Sequence, residues 1–227
     1  MFTLHYAPDN ASLIVRLVLE EMGLPYTTAL VDRRDNAQRS EAYLKVNPMG
    51  LIPALETPDG PIFETAAILL WLSEHTGKMA PAPAAPERGV FLSWLFAASN
   101  GLHADLRQVF YAERYSDAPA DHRLRAAERI GTALDRFEGL AGQNHNWFAG
   151  KQPSVLDIYV TVMMRWLALY PKGQTDWFDI QRWPLLHGLA SRLEARASTA
   201  VAVTAEGLGK TPLSAPRYPQ PPEGSAL

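Results

Sequence analysis

The run Asn47-Pro-Met-Gly-Leu-Ile-Pro53-Ala-Leu-Glu56, with Thr57-Pro-Asp-Gly-Pro61 and Ile62-Phe63-Glu64-Thr65 after it, constrains the fold more than any other part of the chain. It predicts a strand, a tight turn, a second strand and a helix start. Leu51 to Leu55 is a short apolar run, Pro58-Asp59-Gly60 supplies the turn, and Ala66-Ala-Ile-Leu-Leu-Trp-Leu72 is an apolar helix opening on Glu64-Thr65. A proline inside a strand removes a ladder donor, so Pro53 predicts an Ile52 backbone free to meet something other than a neighbouring strand. Whatever docks there faces the N-terminus of the next helix, where unpaired N–H groups and the dipole favour a carboxylate. With the carboxylate of Glu64 and the hydroxyl of Thr65 alongside, the run describes a site for a small zwitterion.

The flanking segments predict the rest of an α/β unit. Thr3 to Tyr6 reads as a strand, Pro8-Asp9-Asn10 as a turn, and Ser12 to Met22 as a helix with Gly23 at its C-cap. By periodicity alone Leu13 to Leu19 is ambiguous between a buried strand and a helix, and the ending Glu20-Glu21-Met22-Gly23 decides for helix. Pro25 to Val31 returns as a strand and Ser40 to Val46 as a second helix, so the order is β-α-β-α-β-β-α, a thioredoxin-like arrangement. Gly77 to Pro86 is rich in Pro and Ala and suits an extended linker. Beyond it the pattern is helical at about 87–117, 120–141, 155–170 and 184–206, with no strand alternation. The expected organisation is an α/β domain at 1–77, a linker at 78–86, an all-α domain at 87–208 and a Pro-rich tail at 209–227, either floppy or packed as an extended strap.

Composition removes several function classes. The 227 residues suffice for one or two domains with a substantial core. A net charge of −3 gives no electrostatic footprint for nucleic acid or an anionic membrane, so neither is an expected partner. No basic leader and no apolar run of membrane-spanning length is present, which leads us to expect a cytoplasmic protein. With no cysteine there is no disulfide and no protein thiol nucleophile, so any thiol chemistry must use the ligand's thiol. Six histidines show no H-x-x-x-H spacing and no carboxylate cluster, so no metal is expected.

The segment from Asn47 to Thr65 resembles the glutathione-binding half of the cytosolic glutathione transferases, bacterial theta-, beta- and nu-like members included. There NPxGxIPAL, a turn, and a Glu-Ser/Thr pair opening the third helix hold the tripeptide. Asn47, Pro48, Gly50, Ile52, Pro53, Glu64 and Thr65 are the corresponding residues here. The resemblance implies that Ile52 pairs its backbone with the cysteinyl part of glutathione, that a cis peptide precedes Pro53, and that Glu64 and Thr65 hold the γ-glutamyl end. At the glycine end it implies Gln38, with Lys45 and Arg34 as neighbours. A second marker is Gly150-Lys-Gln-Pro153-Ser154-Val-Leu-Asp157, a capping box with aspartate in place of the usual glutamate, whose loss by Asp157→Ala is expected to cost about 1 kcal/mol or more. The resemblance spans about residues 2–206.

Such an enzyme must turn a thiol into a thiolate. Lowering a thiol pKa of about 8.5 by two units is worth roughly 2.7 kcal/mol, and one hydrogen bond donated to an anion supplies about 1.5–3 kcal/mol. One donor at the end of the first strand suffices, and Ser12, Tyr6 and Asn10 compete for the role. Ser12 leads because it lies four residues before Arg16, the spacing of the serine in theta- and delta-like members, while Tyr6 matches the tyrosine of alpha, mu and pi members. Tyr6 can also be read as a core tyrosine and Ser12 as a helix N-cap. Where beta-like members carry cysteine this chain has Ala11, which removes mixed-disulfide chemistry with the protein. Phe96, Asn100, His103, Arg107 and Phe110 recur at three- and four-residue spacing and are expected to share one helix face as the pocket wall for the second substrate.

The resemblance therefore implies a glutathione transferase that adds glutathione to a small hydrophobic electrophile and works as a homodimer. A non-enzymatic binding module, or a glutathione-dependent isomerase, dehalogenase or peroxidase on the same scaffold, is the alternative.

Overall fold

The structure is a computed structural model and describes residues 1–226. The chain forms two compact units. One comprises Met1–Lys78, Glu194–Pro212 and the segment from Arg217 on, and the other Met79–Leu193 with Leu213–Pro216. The units do not follow chain order, because the last helix and the C-terminal segment group with the N-terminal half.

The first unit is built on a four-stranded sheet of order β2-β1-β3-β4. Strand β1 (Phe2–Tyr6) runs parallel to β2 (Tyr26–Leu30) and antiparallel to β3 (Ala54–Thr57), which pairs antiparallel with β4 (Gly60–Phe63). Helix α1 (Ser12–Met22) is buried at nine positions and packs against β1, α3 (Thr65–Thr76) and α9 (Ala197–Glu206). Burial on several sides explains why its sequence shows no clean helical stripe. Gly23 ends α1 at φ 69°, its N–H donating to Glu20 O and the Leu24 N–H to Leu19 O, the paired closure that a left-handed C-cap allows. Helix α2 (Glu41–Val46) starts on Ser40, whose hydroxyl accepts from the Tyr43 N–H. The observed strand β3 is shorter at its start than the apolar run suggests, because Leu51, Ile52 and Pro53 lie outside the ladder.

The second unit holds α4 (Arg88–Ala97), α5 (Ala104–Phe110), α6 (Pro119–Ala141), α7 (Val155–Leu169) and α8 (Pro184–Glu194). Its core includes Phe91, Leu95, Ile130, Leu134, Phe148, Leu156, Tyr159 and Met163, all fully buried. The capping box of α7 is formed: Ser154 Oγ accepts from the Asp157 N–H, and Asp157 accepts from the Ser154 N–H.

Two helical expectations are corrected. The long helix expected at 87–117 carries a π-helical turn, Ala98–His103, between α4 and α5, and ends in a 3₁₀ turn at Ala112–Arg114. The helix expected at 184–206 is two helices, because Arg196 is extended at φ −84° and ψ 149°. Its guanidinium Nε donates to Glu21 at 2.8 Å, and the Ser198 hydroxyl donates to the same carboxylate at 2.7 Å, so α9 is fastened to α1.

The expected linker is a series of turns, with the Ala85 N–H on Ala82 O and the Arg88 N–H on Ala85 O. The tail is a packed strap. The Gln220 N–H donates to Gly207 O, Tyr6 Oη donates to the Glu223 carboxylate, and Arg33 donates to Ala226 O. Gly207 sits at φ 63°, and a Cβ there would lie 2.0 Å from Gln220 O, so only glycine permits this approach.

Candidate functional site

Strand register brings the expected ligand residues of the first unit to one edge of the sheet. His5 pairs with Ala54 and Ala54 with Phe63, so the end of β1, the start of β3 and the end of β4 lie side by side. The chain leaves β1 into the loop of residues 7–11, enters β3 from Ile52-Pro53, and leaves β4 into Glu64-Thr65. The Ile52–Pro53 peptide is cis, as the resemblance implies.

The approach to Ile52 is held by neighbours that leave its own backbone open. Leu51 O accepts from both Tyr43 Oη and Asn47 Nδ2 at 2.7 Å. The N–H and C=O of Ile52 take no hydrogen bond among the described residues. Gly50 turns at φ 61° with Gln38 O 2.9 Å from where a Cβ would sit, which fastens the 3₁₀ turn Ala37–Arg39 against this segment. Within that turn Gln38 Oε1 is buried without a partner among the described residues. Lys45 is exposed on α2, and Arg34 is engaged with Asp32 at 2.8 Å.

At the start of α3, Glu64 is exposed and has φ 69°. A non-glycine residue in the left-handed region costs of order 1–3 kcal/mol and persists where the surroundings enforce it. Thr65 is 6% exposed. Neither the Glu64 carboxylate nor the Thr65 hydroxyl makes a hydrogen bond among the described residues, and both stand where the helix dipole attracts an anion.

The three candidate donors to a thiol have different fates. Ser12 is fully buried; its hydroxyl donates to Ala7 O at 3.0 Å and accepts from the Ala7 N–H at 3.3 Å. Its one proton is therefore spent inside the protein, contrary to the expectation drawn from spacing. It is not the N-cap either: Ala11 occupies that position in helical geometry. Tyr6 is 2% exposed and donates to Glu223, while the Arg16 guanidinium lies 4.7 Å from its ring centroid. Burial and then the Glu223 hydrogen bond push the Tyr6 hydroxyl pKa upward, so this phenol holds its proton tightly. Asn10 is partly exposed, with Oδ1 accepting from the Ala11 N–H at 2.8 Å and its C=O accepting from the Leu13 N–H at 2.8 Å. Those bonds fix the side chain through its oxygen and leave Nδ2 without a partner among the described residues.

Beneath this loop lies a buried ion pair with no local sequence motif. Glu206, the last residue of α9, is fully buried; one oxygen accepts from Arg16 Nε at 2.7 Å and the other from the Asp9 N–H at 2.8 Å. Burial pushes its pKa up to about 7, against the pull of Arg16 and of the Asp9 N–H. Arg16 also donates to Tyr26 Oη at 3.3 Å. A signal for Glu206 was present: it is the only charged side chain of α9 and stands at the end where the dipole disfavours an anion.

In the second unit the π-helical turn takes in Asn100 and His103 and separates Phe96 from Arg107 and Phe110. Its i→i+5 winding breaks the α-helical phase, so Phe96 and Asn100 are not carried onto one stripe with His103 and Arg107. Phe96 is 48% exposed and Asn100 is exposed, while His103 Nδ1 meets Tyr159 Oη of α7 at 2.8 Å. His103 keeps part of its surface accessible, yet desolvation, with Arg107 second, pulls its pKa down to about 4. Phe110 packs edge-on to Tyr170. None of these residues lines the open groove of about 600 Å³ between the α4–α5 stretch and α6, whose walls include Trp94, Gly101, Asp105, Arg129 and Arg136. Among the described residues no group of His, Asp or Glu could hold a metal ion, and no helix is long and apolar enough to cross a membrane.

Known proteins match this architecture over nearly its whole length. Residues 11–75 fit the family model of the glutathione S-transferase N-terminal domain, and residues 92–189 that of the C-terminal domain. The chain is 30% identical over 164 residues to glutathione S-transferase F10 of Arabidopsis thaliana, covering 67% of this chain and 75% of that protein. It is 27% identical over 219 residues to disulfide-bond oxidoreductase YfcG of Escherichia coli, covering 92% and 97%. The solved structure of a sphingomonad glutathione S-transferase complexed with glutathione superposes with a TM-score of 0.74 at 29% identity, covering 91% of this chain and all of that one. The chain belongs to the glutathione S-transferase family.

Proposed function

We propose that the chain binds glutathione along the open sheet edge of its first unit and presents it as a thiolate to a small hydrophobic electrophile. The observation carrying this reading is the set of unpartnered polar groups at that edge: the Ile52 backbone, the Glu64 carboxylate, the Thr65 hydroxyl and Asn10 Nδ2. The carboxylate and hydroxyl suit the γ-glutamyl ammonium and carboxylate, the strand-like Ile52 backbone suits the cysteinyl amide, and Gln38 with Lys45 stands toward the glycine end. Asn10 Nδ2 is the donor to the sulfur, because Ser12 and Tyr6 have committed their protons elsewhere. A neutral amide donor at a partly exposed loop stabilises an anion at the lower end of the 1.5–3 kcal/mol range, with the N-terminal dipole of α1 adding some tenths.

Calorimetric titration with glutathione tests the binding part. Glu64→Ala and Thr65→Ala are each expected to weaken binding by about 1–3 kcal/mol with little change in fold, and unchanged affinity in both variants refutes the placement. Turnover of an aryl halide, with the conjugate identified by mass spectrometry, tests the reaction. A cytoplasmic homodimer is the assembly expected of this reading, checked by sedimentation.

The similarity to a disulfide-bond oxidoreductase, in a chain without cysteine, favours one second reading. Two glutathiones would reduce a small disulfide, giving two thiols and glutathione disulfide, with every sulfur supplied by ligands. Replacing the aryl halide by such a disulfide separates the two activities.

A further inference from the structure

Resting on the reading of Asn10 as the donor to the sulfur, we infer that Glu206 is a positioning residue for glutathione activation, holding the loop of residues 7–11 in the shape that aims the Asn10 amide. Four hydrogen bonds brace that loop. Ser12 clamps Ala7 from both sides, the Leu13 N–H takes the carbonyl of Asn10, and Glu206 takes the N–H of Asp9. Of these four, only the last reaches beyond the loop and its own helix. Asp9 lies directly before Asn10 and has φ 48°, a left-handed conformation that aspartate tolerates better than most residues but that still gains from an outside contact. The carboxylate is itself fixed by Arg16, which reaches it from the second turn of α1. The groups facing Glu206 are Arg16 and Asp9, with Tyr6, Tyr26 and Glu20 around the guanidinium.

The placement of this carboxylate argues against a role in stability alone. An anion at a helix C-terminus opposes the dipole, and a fully buried ion pair is seldom more stabilising than apolar residues of the same volume. The fastening of α9 to α1 is already supplied by Glu21 with Arg196 and Ser198. What Glu206 adds is a bond to the backbone N–H of Asp9, the residue directly before Asn10.

Glu206→Gln keeps length and shape but leaves one acceptor oxygen, so either Asp9 or Arg16 faces an amide NH₂. The test titrates the thiolate absorbance of glutathione bound to the full chain. Glu206→Gln is expected to move the midpoint up by about one pH unit, a tenfold loss of thiolate below the midpoint, with glutathione affinity within about twofold of the parent. Asn10→Ala is expected to move it similarly, and the double variant no further than Asn10→Ala. Glu21→Gln, which loosens the α1–α9 fastening without touching the loop, is the stability control and should not move it.

A midpoint unchanged in Glu206→Gln overturns the inference, as does an equal shift in Glu21→Gln or additive shifts in the double variant. Should Glu206→Gln not fold, Glu206→Asp keeps the charge beside Arg16 but shortens the reach to Asp9, and an unshifted midpoint there is equally fatal. An unshifted midpoint in Asn10→Ala refutes the Asn10 reading itself, whatever Glu206→Gln does.

Discussion

Replacing Asp157 by alanine tests how a buried cap is balanced. The carboxylate is fully buried at the third position of α7; one oxygen accepts from the Ser154 N–H and the other from the Ala149 N–H, both at 2.7 Å. Sequence alone counts one cap bond. The structure adds the second, to a residue held at φ 54°. Alanine leaves two backbone donors unpaired at about 1–3 kcal/mol each. Against this stands the penalty for burying the charge: desolvation raises the Asp157 pKa from 3.8 to about 6, with the backbone bonds opposing.

A carboxyl whose folded pKa lies above its unfolded value binds more protons folded than unfolded between the two, so the parent loses stability as pH rises from about 4 to 6. At pH 7 that loss approaches about 3 kcal/mol against about 2–6 kcal/mol for the two unpaired donors, which leaves a net cost for Asp157→Ala of up to about 3 kcal/mol. At pH 5 the penalty is only partly developed, and the cost is expected to be about 1 kcal/mol larger than at pH 7. Urea unfolding of parent and variant at both pH values measures this. A cost below about 0.5 kcal/mol at both values refutes the two-donor argument. A cost that grows with pH means that the backbone N–H groups outweigh desolvation.

Three further outcomes follow from the same structure. Ser12→Ala should lower thermal stability, by loss of the two bonds to Ala7, and raise the thiolate midpoint of bound glutathione by less than Asn10→Ala does, because it loosens the loop without removing the donor; a rise as large as that of Asn10→Ala returns Ser12 to the catalytic role. His103, with its pKa pulled down to about 4, binds fewer protons folded than unfolded, so its contribution is full above pH 6.5 and lost as pH falls toward 4. His103→Gln should flatten that acid limb by about 1–2 kcal/mol, discounted for the partial exposure of the residue, and an unchanged limb in pH-dependent melts contradicts this. Gly207→Ala should release the strap, because its Cβ would meet Gln220 O; faster proteolysis after residue 207 with the rest of the chain intact is the expected readout, and parental resistance refutes it.

The elements legible in the sequence are those whose signals are local. Gly23 closes α1 with two bonds spanning six residues, Ser154 and Asp157 cap α7 within four, and Asn47 to Thr65 carries turn, strands and helix start in one run. The π-helical turn at Ala98–His103 has no such signal: nothing in Ala-Ser-Asn-Gly-Leu-His forces i→i+5 bonding, and one turn of it rotates His103 inward to Tyr159.

The choice among Ser12, Tyr6 and Asn10 was illegible for a related reason. Spacing places a hydroxyl or amide near the helix start but says nothing about which bonds its proton has already made. Ser12 is taken by a backbone five residues before it, and Tyr6 by a carboxylate 217 residues after it. The proposal of Asn10 as sulfur donor thus rests on contacts at both extremes of sequence separation. The far one comes from the strap, which with α9 a reading in chain order assigns to the tail and the helical half, whereas by contact both belong with the sheet. Glu206 on Asp9 and Glu223 on Tyr6 therefore make the C-terminal segment part of the environment of the loop of residues 7–11, and on the proposed reading variation after residue 193 should bear on the chemistry at residue 10.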